Sequence, residues 1–179
     1  MTQNENNLVF VPLGGTGEIG MNCNLYGYGT GKRRDWIMVD LGVTFGRHTE
    51  PGIEIITADT GFIEAERGPL HALLLTHGHE DHIGAVAHLW PRLKCPVYAT
   101  AFTAELVRGK LAEAGLLGTV PLHIVDPHQP FELGPFHIDY IGLTHSIAEP
   151  NALALRCGDA RVLHTGDWKI DPDPVIGKV

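Results

Sequence analysis

A chain of 179 residues, 44% hydrophobic and 19% charged, carries enough material for one domain with a sizeable core. None of its apolar stretches approaches the ~20 residues that a bilayer-spanning helix needs. The formal net charge of −8 excludes a surface-wide basic field for nucleic acid, so a polyanionic ligand would have to be met by a local patch, by metal ions or by other parts of the protein.

The polar start, Met1 to Asn7, has neither a basic n-region nor an apolar h-region, and reads as a frayed tail ahead of one domain over residues 8–179. Residues 8–13 are predicted to form a short buried strand, followed by the glycine-rich turn 14–20. Two further strands, 21–28 and 36–39, are joined by a turn at 29–33. From Leu41 to about Gly68 no periodicity is visible, and a loop is predicted. A strand is predicted over 70–75, then a helix over 82–89 stopping at Trp90-Pro91. A brief strand at 97–99 and an amphipathic helix over 103–114, ended by Gly115, come next. The rest is strand-rich (122–125, 136–141, 152–156, 161–164), with turns at Pro127, Gly134-Pro135 and Gly158-Asp159. Strands outnumber helices and the helices are inserted singly, which predicts an α/β layered chain. Residues 171–179 are loop-like and follow Asp167 closely, so the polypeptide is expected to stop short of a natural domain end. Cys23, Cys95 and Cys157 are odd in number and scattered, which fits reduced thiols in a cytoplasmic protein better than a disulfide framework.

The densest chemistry lies in Thr76-His77-Gly78-His79-Glu80-Asp81-His82-Ile83-Gly84, directly after the apolar run 72–75. Imidazole nitrogens and carboxylate oxygens are ligands for borderline cations such as Zn²⁺, and the same set accepts Mn²⁺. In extended chain His77 and His79 project to one side and can grip one ion. Asp81 and His82 fall where loop turns into helix and can reach a second ion. Two ions about 3.5–4 Å apart are a common hydrolytic arrangement. A histidine-rich polar loop is the plain alternative, but random placement gives this pattern in roughly a few of a thousand such chains.

Further ligands must come from later strands. His145, in Thr144-His145-Ser146, is the candidate third nitrogen on the first ion. Asp167, in Gly166-Asp167-Trp168, is a candidate bridge between the ions. Asp40, ending a strand, is placed to accept a hydrogen bond from a ligand imidazole and fix its tautomer. Each has an ordinary reading too: a loop histidine for His145, a turn aspartate for Asp167 and Asp40. His164 reads as structural, and His48, His71, His88, His123, His128 and His137 lack ligand spacing. Gly15-x-Gly17-x-x-Gly20 matches the dinucleotide fingerprint, which requires a helix to start at the glycines. The sequence after Gly20 alternates like a strand, so the glycines are expected to let backbone pass close to the metal site instead.

The H-x-H-x-D-H segment, His145, Asp167 and the upstream Asp40 together resemble the metallo-β-lactamase superfamily. The blocks 10–22, 76–84, 144–147 and 164–169 further resemble the ribonuclease J family of its β-CASP branch, over nearly the whole chain. The resemblance implies an αββα sandwich, incomplete in this chain, with two divalent ions. His77, His79 and His145 would hold the first ion, Asp81 and His82 the second, and Asp167 would bridge. It also implies metal-dependent degradation of RNA bearing a 5′ monophosphate, 5′-to-3′ with some internal cleavage. Asp81 and His82 are then the candidate catalytic residues, with Asp81 able to take the proton of the nucleophile. Family members carry a β-CASP insertion after the region matched here, a return segment that supplies another histidine, and a C-terminal domain. Any homo-oligomer contacts are expected in those regions, and no membrane partner is expected. Ala148-Glu149-Pro150 departs from the Pro-Asp of many members. Two rival functions stay open: hydrolysis of a thioester, lactone or β-lactam on the same fold, and a metal-binding unit without catalysis. This chain by itself is expected to hold about one ion tightly and to cleave RNA weakly.

Overall fold

The computed structural model describes residues 6–31, 33–66 and 68–174. In chain order the elements are β1 (Asn7–Gly14), β2 (Cys23–Thr30), β3 (Arg33–Val39), β4 (Val43–Phe45), β5 (Ile55–Thr57), α1 (Gly61–Ala65), β6 (Leu70–Leu74), α2 (Glu80–Ile83) and α3 (Val86–Leu93). They continue with β7 (Val97–Ala99), α4 (Ala101–Glu113), β8 (Leu122–Ile124), β9 (Phe131–Leu133), β10 (Phe136–Gly142), β11 (Asn151–Cys157) and β12 (Ala160–His164).

A six-stranded sheet runs β1-β2-β3-β6-β7-β8. Its first three strands pair antiparallel, and β3, β6, β7 and β8 run parallel. The second sheet, β12-β11-β10-β9, is antiparallel throughout. The two-residue period of a strand sorts the core into two layers. Leu25, Met38 and Leu73 pack with Val86, Leu89, Val107 and Leu111 of the helices on one side. Their neighbours Tyr26, Ile37, Val39 and Leu74 pack between the sheets with Phe136, Ile138, Tyr140, Leu153 and Leu155. Three of the four layers of the expected αββα sandwich are therefore formed among the described residues. Two stacked sheets with one helical layer are what the resemblance to the metallo-β-lactamase superfamily implies for these residues.

Several boundaries differ from the sequence reading. The first strand starts at Asn7, inside the expected tail, while residues 1–5 lie outside the described residues. The segment predicted as loop over 41–68 contains the β4–β5 ribbon and α1, elements too short to show a period. Strand β9 was missed for the same reason. The single helix expected over 82–89 is two helices, broken at Gly84-Ala85 and starting at Glu80. Pro91 sits inside α3 instead of ending it. The next turn is pinned by the Trp90 indole N–H donating to the Cys95 carbonyl at 2.7 Å, and by Lys94 N–H donating to the Trp90 carbonyl at 2.8 Å. Lys94 then closes the helix in the left-handed region, with φ of 51°.

Candidate metal centre

Strands β3 and β6 are parallel neighbours in register at Val39 and Leu74, so Asp40 and Thr76 leave the sheet at the same edge. That edge carries the carboxyl ends of the parallel strands, where open α/β sheets place their ligands. Asp40 turns sharply there, with φ of 61°, a left-handed conformation that aspartate tolerates better than most residues. Its carboxylate is buried yet fully partnered. Oδ1 accepts from Thr76 N–H at 2.8 Å, while Oδ2 lies 2.9 Å from Thr76 Oγ1 and 2.8 Å from His82 Nδ1. Donation from His82 Nδ1–H to Asp40 leaves Nε2 of that ring to face the cleft.

The structure brings His77, His79 and His145 together. His79 Nδ1 lies 3.0 Å from His77 Nε2 and 3.2 Å from His145 Nε2. Nitrogens bound to one tetrahedral ion at about 2.0–2.1 Å would be about 3.3 Å apart, so these three form most of such a polyhedron. Beside them, ligand atoms of His77, His82 and Asp167 form a second cluster, all within 4.8 Å of one another. Asp167 Oδ2 is 3.5 Å from His82 Nε2 and 3.8 Å from His145 Nε2, so one carboxylate reaches toward both groups. Asp81 is absent from the tightest cluster, but its Oδ2 lies 3.6 Å from His82 Nε2. All six residues proposed from sequence as ligands thus face one another across a few ångströms, with Asp40 behind His82.

The electrostatics suit cations. Burial, then the neighbouring charge of His82, pushes His77 down to about 3, which keeps the ring neutral with one nitrogen free to bind an ion. Burial and then His79 likewise lower His145. His82 behaves oppositely. Burial works against its charge, but Asp40, Asp167 and Asp81 outweigh it and raise the imidazole to about 10. The hydrogen bond from His82 leads the causes that hold Asp167 down at about 2, against the opposing effect of burial. A proton on His82 therefore occupies the place that a divalent ion would take, among three carboxylates. The donor set and its spacing fit two ions.

Three residues outside the sequence-level candidates complete the site. Thr76 links Asp40 to the ligand loop. Glu80 is held by Lys110 of α4 at 2.6 and 2.7 Å, which ties α2 to the helical layer. Asn22 touches both Asp81 and His82. In the sequence, Asn22 stands out only as the end of the block 10–22, two residues past the glycine-rich turn. No helix starts at that turn, and β2 follows it, so the dinucleotide geometry is absent. His164 accepts or donates a 2.9 Å hydrogen bond with Tyr26 and lines a polar cleft of about 250 Å³ with Asn22, Asn24, His82 and Asp167. His71 pairs with Asp35 at 2.7 Å and His137 with Glu132 at 3.1 Å, both away from the centre.

Comparison with known proteins agrees with this geometry. The profile of the beta-lactamase superfamily domain matches residues 48–179. The chain belongs to the beta-lactamase superfamily. Within it, the chain is 48% identical over 177 residues to ribonuclease J of Sinorhizobium meliloti, covering 99% of this chain and 31% of that protein. It is 34% identical over 182 residues to ribonuclease J of Thermus thermophilus, covering 98% and 31%. The chain therefore spans about a third of the length of these curated superfamily relatives. Among solved structures, the metallo-beta-lactamase fold protein YhfI from Bacillus subtilis superposes with a TM-score of 0.63 at 19% identity, covering 92% of this chain and 64% of that one. Among the described residues no helix is long and apolar enough to cross a membrane.

Proposed function

We propose that this superfamily domain is the metal-binding part of a ribonuclease that hydrolyses RNA phosphodiesters with divalent cations, working 5′-to-3′ from a 5′ monophosphate with some internal cleavage. One observation carries the reading: His77, His79 and His145 converge beside His82, Asp81 and Asp167, in a chain 48% identical to a ribonuclease J. The imidazole and carboxylate set suits Zn²⁺, with Mn²⁺ as the alternative. Cations held there would lower the pKa of a nearby water and offset charge that builds on the phosphate oxygens.

The remaining work falls to the chain. Asp40 fixes the His82 ring through Nδ1, so its other nitrogen points at one place. Asp167 reaches both clusters and holds them close despite the repulsion of their charges. Asp81 is 29% exposed at the mouth of the second cluster, where its carboxylate is placed to accept the proton of an attacking water. Both clusters share buried His77, but the second depends on the partly exposed carboxylates of Asp81 and Asp167, whereas the first is completed by two further imidazoles. In this chain the first ion is therefore held more tightly.

The test uses the full-length protein and RNA labelled at a 5′ monophosphate, beside a 5′ triphosphate control, with and without chelator. Chelator-sensitive release of labelled mononucleotide from the monophosphate substrate is expected. Intact RNA under metal-replete conditions would reject the ribonuclease reading and favour a small-molecule hydrolase on the same scaffold.

A further inference from the structure

The glycine-rich turn between β1 and β2 opens no helix, and it delivers Asn22 to the candidate metal centre. The backbone of Asn22 is held on both sides. Its N–H donates to the Asp81 carbonyl at 2.9 Å, and its own carbonyl accepts from Gly42 N–H at 2.9 Å. Its carboxamide nitrogen lies 3.1 Å from the Asp81 carbonyl oxygen, 3.4 Å from Asp81 Oδ2 and 3.1 Å from His82 Nε2. The Asp81 carbonyl and carboxylate oxygens are both acceptors, which turns the amide nitrogen of Asn22 toward Asp81.

The surrounding glycines leave room for this contact. A Cβ on Gly15 would collide with Asn22 Oδ1, and Gly15 also has φ of 84°, which a side chain resists. A Cβ on Gly42 would collide with the Asp81 carbonyl that Asn22 holds. Among the described residues, the Asp81 carboxylate has polar contacts with Asn22 and His82 alone.

We propose that Asn22 is a positioning residue for the second metal cluster. Its carboxamide fixes the Asp81 carboxylate and the Asp81–His82 backbone so that the carboxylate and His82 Nε2 meet on one ion. Gly15 and Gly42 are small because the contact requires it. This inference rests on the two-ion reading above. Residues that orient metal ligands commonly change affinity about 10–100-fold when replaced.

The test titrates Zn²⁺ into chelator-stripped full-length protein and into Asn22→Ala and Asn22→Leu, the latter keeping volume without the donors. Expected is a second ion at least about tenfold weaker in both variants, a first ion within about twofold of wild type, and a cooperative melt in chelator. Two ions bound at wild-type affinity by both variants overturn the inference while leaving the two-ion reading intact. A wild-type protein that takes only one ion overturns both. Should neither variant melt cooperatively, the decision falls to the wild type, with asparagine side-chain amides labelled for NMR. The Asn22 amide signals are then expected to move with the second equivalent of Zn²⁺, and signals unchanged through two equivalents overturn the inference.

Discussion

His79 Nδ1 is the atom on which the first cluster turns, since both other imidazoles of that group lie against it. His79→Ala is expected to remove the tightly held ion, and with it activity in the full-length protein, while leaving a cooperative melt in chelator. Loss of that melt would instead make His79 a structural residue. The buried His82–Asp40 pair gives a pH signature. In the ion-free protein the His82 pKa is raised from 6.5 to about 10, so the pair stabilises the fold fully below about 6.5. That stability is lost as pH rises through about 10. Melting temperature in chelator should therefore fall over this window, and Asp40→Asn should flatten the slope. An unchanged slope in the variant would place the titration elsewhere. Ion binding at His82 must also displace its proton, so affinity at the second cluster should rise with pH. The cysteines give a further check. Burial raises the Cys23 and Cys95 thiols to about 12, so neither should be alkylated at pH 8 until the protein is denatured.

Elements were legible where an apolar period or flanking turn residues framed them. Strands with alternating burial, such as β10 with Phe136, Ile138 and Tyr140 inward, were found to within a residue or so. Of the three-residue strands, β7 and β8 stand out between a helix and turn residues, whereas β4, β5 and β9 lie in stretches with no such frame. The start of α4 at Ala101, two residues before the expected Thr103, has a cause outside the helix. Glu149, in the left-handed region with φ of 52°, sends its carboxylate to the N–H of Phe102 at 2.9 Å. A carboxylate at a helix start both caps an orphan donor and faces the positive end of the dipole. Glu149→Ala should cost about 1 kcal/mol in chemical denaturation, and Glu149→Gln less. Equal stability of all three proteins would show that the contact contributes nothing.

At the scale of the whole molecule, the metal motif was readable because its residues are adjacent in sequence and their spacing encodes direction. His145 and Asp167 were readable because each follows a recognisable strand. The roles of Asn22 and Thr76 were not, since an amide or hydroxyl has no ligand signature and their contacts to Asp81 and Asp40 span 59 and 36 residues. The layered α/β fold followed from the order of strands and helices. The antiparallel second sheet and the crossing of the chain back to the metal edge needed the structure. We propose that these scattered residues converge to hold divalent ions. Crystals of the protein grown with Zn²⁺ test it most directly, by anomalous scattering at the zinc edge. The account expects one strong peak within about 2.0–2.2 Å of His77 Nε2, His79 Nδ1 and His145 Nε2, with a second beside His82, Asp81 and Asp167. Zinc-replete crystals with no peak among the three histidines, or with the ion bound elsewhere, would contradict it.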